Sequence, residues 1–301
     1  MRRRYWSIFD RLMPILEELT PDFEIVCVND GSKDGTLEWL RLANQRDQRI
    51  KIVDLTRNFG KEVALSAGLD HTTGDAVVPI DADLQDPPEL IPTMVERWRE
   101  GYDMVLAVRS DRSTDSPLKR MTAELFYKLM GWIAIISVPS NTGDFRLMDR
   151  RVITALKRLP ERTRFMKGLF AWLGFRQAEV HYTRPERVAG SSKWNFWRLW
   201  NFALEGIFSF TTLPLRIWTY IGISVSVFAA IYLLYTVIKT LIFGVDVPGY
   251  ASLLSVLLFF NGINMIGLGI LGEYIGRVFI EVKQRPLYLV RECIGLTGVE
   301  N

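Results

Sequence analysis

Carboxylates alternate with other side chains directly after one strand-like run of this sequence. Residues 76–80 are apolar and typical of the end of a core strand, and Asp81, Asp83 and Asp86 follow them. Alternation puts two of these acids on one face at the carboxyl edge of a sheet, where open α/β sheets bind ligands. Closely spaced carboxylate oxygens suit a hard divalent cation, and such a cation suits a diphosphate. The alternative interpretation is a solvated acidic loop.

A second acidic strand end lies upstream of the first. Residues 24–29 have the composition of a buried strand, and Asp30 and Gly31 follow them. Asp30 could accept hydrogen bonds from a nucleobase or ribose, and Gly31 would let the backbone approach a ligand closely. The spacing alone supports equally well a capping and turn cluster for the next helix. The acidic site at residues 81–86 favours the ligand interpretation, because nucleotide and metal sites lie at neighbouring strand ends in such folds.

The elements that must position these acids alternate along the chain. An amphipathic helix is predicted over residues 8–19, followed by strands at 24–29, 50–55, 75–80 and 103–108, with helices at 37–45, 62–71 and 89–100 between them. A helical, aromatic stretch at 119–136, a short helix at 152–159 and a strand at 179–183 come next. This alternation predicts an α/β fold with a mostly parallel sheet covered by helices on both faces.

Composition divides the chain into a soluble part and a membrane part. The chain has 301 residues, of which 49% are hydrophobic, and the apolar excess is concentrated after about residue 213. The mean hydropathy of +0.10 is high for a purely soluble protein. A net charge of +3 is too small to indicate nucleic-acid binding. With only Cys27 and Cys293 present, a disulfide framework is not expected and a reducing cytosolic face is plausible.

The membrane part begins with a tryptophan-rich segment. Trp194, Trp197 and Trp200 recur every three residues beside Lys193 and Arg198. This mixture of rings and cations is typical of an amphipathic helix lying among lipid headgroups, although a tryptophan-rich core helix is the alternative.

Two long apolar stretches follow at residues 217–241 and 252–275. The short loop between them has no Lys or Arg, whereas basic residues flank both outer ends, so the positive-inside rule predicts a transmembrane hairpin with both ends in the cytoplasm. The predicted divisions are a cytosolic catalytic domain at 1–190, interface helices at 191–213, the hairpin at 214–276 and a cytosolic tail at 277–301.

Several motifs carry a family resemblance. Residues 28–36 and 81–89 resemble signatures of the family 2 glycosyltransferases with the GT-A fold. Residues 57–62, 143–148 and 187–194 match the branch of polyprenyl-phosphate glycosyltransferases of the bactoprenol glucosyltransferase type, which is related to dolichyl-phosphate mannose synthase. Together with the hairpin, the resemblance covers nearly the whole chain from about residue 8.

The resemblance implies a role for each matched donor-side residue. Asp30 would contact the uridine of a UDP-sugar, and Asp81 with Asp83 would form the DxD element. Asp83 and Gln85 would face the Mg²⁺ or Mn²⁺ that bridges the donor diphosphate. Lys61 is counted among the substrate-binding residues. Arg187 and Lys193 would lie in a mobile loop that closes over the diphosphate; a plain surface charge is the alternative for Arg187.

The acceptor implied by the resemblance is a polyprenyl phosphate. A phosphate monoester has a second pKa of about 6, so at neutral pH it needs positioning more than deprotonation. Four cations that would suit this anion follow the fourth strand: Arg109, Arg112, Lys119 and Arg120. The alternative interpretation of these residues is a solvated basic loop at the membrane surface. Asp144 is the matched candidate for a base or for sugar contacts, unless it is simply a buried partner of Arg146.

The resemblance therefore implies an inverting, metal-dependent enzyme that moves a hexose, glucose by analogy, from a UDP-sugar to undecaprenyl phosphate. It would work at the cytoplasmic face of the bacterial inner membrane as a multi-pass protein, in the context of O-antigen modification. A different sugar, or a catalytically impaired membrane-anchored nucleotide-binding scaffold, are the alternatives. The oligomeric state stays open, a homo-oligomer included.

One feature departs from the family pattern. Members normally open with a buried strand that ends in a Pro-x-Tyr-Asn-Glu-like motif, whereas this chain begins with the helix that would follow it. A misassigned start, a truncated chain or a true variant would each explain this, and the first two are favoured. In a chain complete as given, we expect unpaired backbone groups beside the sheet, weak nucleotide binding and poor stability.

Overall fold

A computed structural model of the chain describes residues 2–83, 85–109, 142–183, 213–244 and 249–296. Its helices are α1 (Arg2–Leu19), α2 (Thr36–Arg46), α3 (Lys61–Asp70), α4 (Ile91–Arg99), α5 (Arg150–Lys157), α6 (Met166–Trp172), α7 (Leu213–Phe243) and α8 (Tyr250–Val282). Its strands are β1 (Ile25–Asn29), β2 (Ile50–Leu55), β3 (Ala76–Val77), β4 (Met104–Arg109), β5 (Thr142–Asp149), β6 (Gln177–Tyr182) and β7 (Val290–Ile294). The helical stretch predicted at 119–136 and the interface helices predicted at 191–213 lie outside the described residues, apart from the first residue of α7.

The strands form two ladders, in the orders β1-β2-β7 and β3-β5-β4-β6. The pairs β1–β2 and β4–β6 are parallel, whereas β2–β7, β3–β5 and β4–β5 are antiparallel. The predicted mostly parallel sheet is therefore wrong, and the sheets are mixed. The difference arises because β5 and β7, which the sequence analysis did not predict, both enter antiparallel to their neighbours. Within the described residues, β1 pairs with β2 alone and β3 with β5 alone.

The strand β3 is much shorter than predicted. Only Ala76 and Val77 pair with β5, and the backbone leaves the ladder before it reaches Asp81. Pro79 lies in this run and has no N–H to donate to a neighbouring strand, which limits the ladder. Asp81 and Asp83 consequently lie in an irregular segment after the strand rather than on its pleat.

Helices cover both faces of the second ladder, as the sequence predicted. Val105 and Leu147 pack in the hydrophobic cluster that includes side chains of α1 and α4. Met104 and Met148, one residue away on each strand, pack in the cluster that includes α5 and α6. This alternation follows from the two-residue period of a strand and buries both faces. The two layers of helices hold β4 and β5 between them, and Asp144 belongs to β5.

The strand β7 brings the chain back to the first ladder after α8. It pairs antiparallel with β2, and Arg291 on β7 donates to Asp54 on β2 at 3.1 Å. Asp54 is fully buried and also accepts from Asn29 on β1 at 2.7 Å. A buried carboxylate is costly unless it is paired and hydrogen-bonded, so Arg291 compensates the charge of Asp54. The chain that follows α8 is therefore joined to the ladder of β1 and β2.

The helices α7 and α8 carry large apolar side chains on their exposed surface. Ile223, Phe228, Leu257 and Phe259 are each more than half exposed. Within the described residues, the segment Phe259–Val282 is long and apolar enough to cross a membrane, and Tyr220–Ala229 in α7 is a shorter apolar stretch. The structure thus gives two long helices with lipid-compatible surfaces, of which one contains a full candidate span.

Gly267 lies at a close contact between these two helices. Gly267 of α8 is buried, and a Cβ at this position would overlap the indole ring of Trp218 on α7. We expect Gly267→Val to destabilise the helix pair by about 2 kcal/mol, because an added side chain in a tight contact forces the helices apart. Gly269→Val is the matched control, since a Cβ there meets no atom within 4 Å. Thermal unfolding of both variants in detergent checks this, and equal melting temperatures would contradict it.

Candidate active site

Lys61 brings together two predicted site residues from distant parts of the sequence. It is the first residue of α3, and its Nζ lies 2.8 Å from Oδ2 of Asp81 and 2.7 Å from Oδ2 of Asp144. Asp81 follows β3, whereas Asp144 belongs to β5. The amine therefore joins the segments that follow β2 and β3 to a residue of β5. This places three of the residues predicted from the motifs in one site.

The ion pairs extend from the surface into the interior. The side chains of Lys61 and Asp81 are 55% and 44% exposed, whereas that of Asp144 is only 15% exposed. Burial alone would lower the pKa of Lys61, but the two carboxylates raise it above its ordinary value. Burial alone would raise the pKa of Asp144, yet attraction and hydrogen bonding from Lys61 bring it below its ordinary value. Asp144 is consequently ionised at neutral pH and is a weak base.

The alternative that Asp144 is simply the partner of Arg146 is not what the structure shows. Arg146 is buried, donates through Nη2 to the carbonyl of Gly143 at 2.7 Å, and lies over the ring of Phe170 at 4.2 Å. Burial lowers the pKa of Arg146 to about 10. The Oδ1 atom of Asp144 is buried and has no hydrogen-bond partner among the described residues. A buried oxygen of this kind is suited to a bound hydroxyl or other donor.

Two further charged residues surround Asp144, and the sequence analysis did not assign either. Glu62 accepts from the backbone N–H of Met166 at 3.0 Å, and burial together with the charge of Asp144 raises the pKa of Glu62. Burial lowers the pKa of Lys167, whose charge faces Asp144. Glu62 lies inside the matched segment 57–62 and could have been singled out, whereas Lys167 lies outside every motif and had no signal.

Asp30 has a structural task in addition to any contact with a ligand. Its carboxylate accepts from the backbone N–H groups of Phe59 and Gly60 at 2.7 and 3.0 Å, while the side chain of Asn58 donates to its carbonyl at 3.1 Å. Asp30 thus ties the loop after β1 to the loop after β2, immediately before Lys61. The predicted uridine contact of Asp30 stays a prediction.

Gly31 permits this close approach of the two loops. Its φ is +64°, and a Cβ would collide with the backbone of Arg57 and Asn58. We expect Gly31→Ala to destabilise the fold by at least ~2 kcal/mol, because it adds both a left-handed backbone penalty and a clash with main-chain atoms. Gly35→Ala is the matched control, since its nearest neighbour would be a side-chain oxygen of Glu38 at 4.0 Å. Thermal unfolding of both variants checks this. A Gly31→Ala variant as stable as Gly35→Ala would contradict the need for glycine at this contact between the two loops.

The predicted metal ligands differ in their surroundings. Asp83 is exposed, and its Oδ1 accepts from the backbone N–H of Gln85 at 3.1 Å. The side chain of Gln85 is buried. The described residues contain no group of three His, Cys, Asp or Glu side chains arranged around a common metal position. Mg²⁺ is often held by one or two carboxylates together with substrate phosphates, so the exposed Asp83 carboxylate is a ligand of the right chemistry.

The predicted acceptor-side residues are only partly within the described chain. Arg109 lies beside Gly143, and its Nε is 3.4 Å from the hydroxyl of Tyr182, which donates to Asp86 at 2.9 Å. Arg109 therefore comes to the same region as Asp144. The remaining predicted cations lie outside the described residues; they are Arg112, Lys119, Arg120, Arg187 and Lys193.

The fold and these contacts define an α/β protein whose charged residues gather where its strands end. Residues 2–156 match the family model described as glycosyl transferase family 2, and residues 213–278 match the GtrB C-terminal hairpin. The chain belongs to glycosyl transferase family 2. It is accordingly a glycosyltransferase with a sugar donor, and divalent metals are in general use in this family.

Curated relatives resemble the chain over nearly its whole length. An uncharacterized glycosyltransferase of Synechocystis sp. is 57% identical over 96% of this chain and 91% of the relative. The bactoprenol glucosyl transferase of Shigella phage SfX is 54% identical over 94% of this chain and 93% of the relative. A prophage bactoprenol glucosyl transferase homolog of Escherichia coli (strain K12) has the same identity and coverage.

Proposed function

We propose that this protein transfers glucose from UDP-glucose to a polyprenyl phosphate with inversion at the anomeric carbon. The observation that carries the proposal is the Lys61 bridge, which gathers Asp81 and Asp144 beside the exposed Asp83. The relatives named as bactoprenol glucosyl transferases support glucose as the sugar and a polyprenyl phosphate as the acceptor. The weak basicity of Asp144 supports a reaction that needs no strong general base.

On the donor side, the residues bind and orient a nucleoside diphosphate. Asp83, with the amide oxygen of Gln85, would hold Mg²⁺ or Mn²⁺, whose charge would neutralise the departing diphosphate. Lys61 keeps Asp81 and Asp144 in place through its two ion pairs. Asp30 would receive the uridine at the end of β1. For Arg187 and Lys193 we keep the role that the resemblance implies, which is contact with the diphosphate.

On the acceptor side, the residues position an anion that is already a nucleophile. At neutral pH, a lipid phosphate with a second pKa of about 6 is mostly a dianion. One of its oxygens attacks the anomeric carbon, the bond from that carbon to the UDP oxygen breaks, and UDP leaves with the electron pair. Arg109, together with Arg112 and Arg120, would hold the phosphate. The buried Oδ1 of Asp144, which has no hydrogen-bond partner among the described residues, would accept from a sugar hydroxyl and so orient the ring.

The placement of β7 supports a hairpin that crosses the membrane twice. The catalytic domain precedes α7, and β7 pairs with β2 after α8, so both ends of the helix pair are on the side of the catalytic domain. Two crossings would satisfy this arrangement, and the basic residues that flank the outer ends support a cytoplasmic location for that side. We therefore propose a multi-pass protein of the bacterial inner membrane with a cytoplasmic active site, and interface helices at 191–213 that contact the headgroups.

A donor screen tests the proposal. The full chain, purified in detergent, is given undecaprenyl phosphate and Mg²⁺ or Mn²⁺, with radiolabelled UDP-glucose, UDP-galactose or UDP-N-acetylglucosamine in separate reactions. We expect label to enter the organic phase from UDP-glucose and the lipid product to carry the β-anomer. If label enters the organic phase from only one of the other donors, the transferred sugar is the sugar of that donor and the proposal of glucose is wrong. Binding of UDP without transfer from any donor would favour the membrane-anchored scaffold.

A further inference from the structure

The last turn of α8 holds a carboxylate that contacts the catalytic domain. Both oxygens of Glu281 accept from the backbone N–H of Arg162, at 2.9 and 3.0 Å, and Oε1 also accepts from that of Thr163 at 3.2 Å. A carboxylate at the C-terminal end of a helix is opposed by the helix dipole, and no basic residue lies in this turn of α8 to offset it. Its position is explained by the two backbone donors that it satisfies.

The segment held by Glu281 leads directly to the candidate active site. Four residues after Arg162, the backbone N–H of Met166 at the start of α6 donates to Glu62 at 3.0 Å. Glu62 is the neighbour of Lys61. One turn further along α3, the hydroxyl of Ser66 donates to Sδ of Met166 at 3.6 Å. The segment is therefore fixed at one end by the helix pair and at the other by α3.

The helix α6 packs against the residues on either side of Asp144. Its Phe170 is fully buried and lies under the guanidinium of Arg146, which in turn donates to the carbonyl of Gly143. A shift of α6 would thus move the backbone on both sides of Asp144. Asp30 is fixed separately, by the backbone of Phe59 and Gly60 in the loop after β2, so the proposed uridine contact does not depend on these contacts.

We propose that Glu281 is a positioning residue that transmits the seating of the α7–α8 pair to the acceptor side of the active site. The path runs from Glu281 to Arg162, through α6, to Arg146 and Asp144. The proposal rests on the proposed transfer to a lipid phosphate, because it gives the membrane helices a task in aligning that acceptor with the sugar. Misplacement of about 1 Å by a distant change can lower a rate about a hundredfold, so this coupling is large enough to measure.

Steady-state kinetics of the full chain in lipid nanodiscs test the proposal. For Glu281→Ala, we expect kcat/KM for undecaprenyl phosphate to fall at least ~10-fold, while KM for UDP-glucose stays within ~2-fold of the parent value. Glu281→Gln should recover most of the activity, because Oε1 alone accepts from both Arg162 and Thr163. Glu273→Ala is the matched control, since Glu273 pairs with Arg277 on its own helix at 3.0 Å.

A purely structural role for Glu281 would lower the melting temperature and leave kcat and both Michaelis constants of the folded enzyme unchanged, and this result would overturn the proposal. An equal loss in Glu273→Ala, or an equal weakening of donor and acceptor, would do so as well. Should Glu281→Ala fail to fold, Glu281→Asp carries the same prediction, because it keeps the charge but shortens the reach. If the parent enzyme itself transfers nothing to the lipid, the proposed function fails first, which separates the two failures.

Discussion

Replacing Lys61 with methionine is expected to lower kcat at least ~100-fold, the scale found when one preorganised electrostatic contact is removed from an active site. The substitution keeps most of the side-chain volume but deletes the charge that Asp81 and Asp144 share. Asp144 is mostly buried, so without Lys61 its carboxylate loses its ion-pair partner, and the charges of Lys167 and Arg146 offset its burial only in part. The measurement is the initial rate of transfer to undecaprenyl phosphate under saturating UDP-glucose.

The same variant should show a distinct pH dependence of stability. In the parent, Lys61 holds the pKa of Asp144 below its ordinary value, so the ion pair stabilises the fold at neutral pH and this stabilisation is lost as the pH falls through the folded-state pKa. In Lys61→Met, burial would raise the pKa of Asp144 instead, so ionised Asp144 destabilises the variant as the pH rises. The difference in melting temperature between parent and variant should therefore be larger at pH 7.5 than at pH 5.

Lys51→Met is the matched control for Lys61→Met. Lys51 pairs with Glu24 at 2.5 Å, but it lies at the amino end of β2, the opposite edge from the candidate active site. We expect this control to lose stability and to keep the kcat of the parent. Comparable losses of kcat in the two variants would show that Lys61 acts through stability alone.

Asp144→Asn is expected to reduce kcat/KM for undecaprenyl phosphate at least ~100-fold. Asparagine preserves the shape of the side chain but removes the charge that Lys61 and Lys167 face. Because the pKa of Asp144 is lowered, its titration should leave no trace between pH 5.5 and 9. An acidic limb in that window should instead belong to the lipid phosphate, whose second pKa is about 6.

The pH–rate profile of Asp144→Asn separates positioning from general-base catalysis. If Asp144 positions the sugar, its residual activity keeps the acidic limb of the parent. If the limb disappears in the variant, Asp144 is a base and the proposed role is wrong. Asp75→Asn is the matched control, since Asp75 is exposed and lies before β3, and it should keep the parent rate and profile.

The first half of the fold was predictable because its signals are local. Four of the residues in 50–55 are aliphatic and two of the first three are isoleucine, and β2 occupies that range. Helices α2 and α3 begin within one residue of their predicted starts, because a turn cluster precedes each of them. These helices are fixed by patterns that a single segment contains.

The strands that were missed depend on partners that a single segment does not reveal. β5 carries Asp144, Arg146 and Asp149 among apolar residues, which is not a pattern typical of a buried strand. It forms a strand between β3 and β4, which flank it in the ladder. β7 is a short segment that becomes a strand beside the exposed edge of β2. Both enter antiparallel, so the predicted mostly parallel sheet could not have been corrected from the sequence.

The sequence predicts which residues belong to the candidate site, but it does not predict which of them form ion pairs with one another. The motifs named Lys61, Asp81 and Asp144 separately, yet carboxylates 20 and 83 residues after Lys61 give no indication that its amine pairs with both of them. Glu281 contacts a segment far earlier in the sequence, and neither partner belongs to a motif. Such contacts follow from tertiary packing alone.

The central claim is that Asp83 holds a divalent cation against the diphosphate of the sugar donor. Its most direct test is the transfer rate from UDP-glucose to undecaprenyl phosphate, measured over a Mn²⁺ titration for the parent, Asp83→Asn and the exposed control Asp10→Asn. We expect the parent and Asp10→Asn to be activated alike by Mn²⁺ and silenced by chelation, and Asp83→Asn to stay at least ~100-fold slower at every Mn²⁺ concentration. An Asp83→Asn enzyme that follows the Mn²⁺ curve of the parent would contradict it.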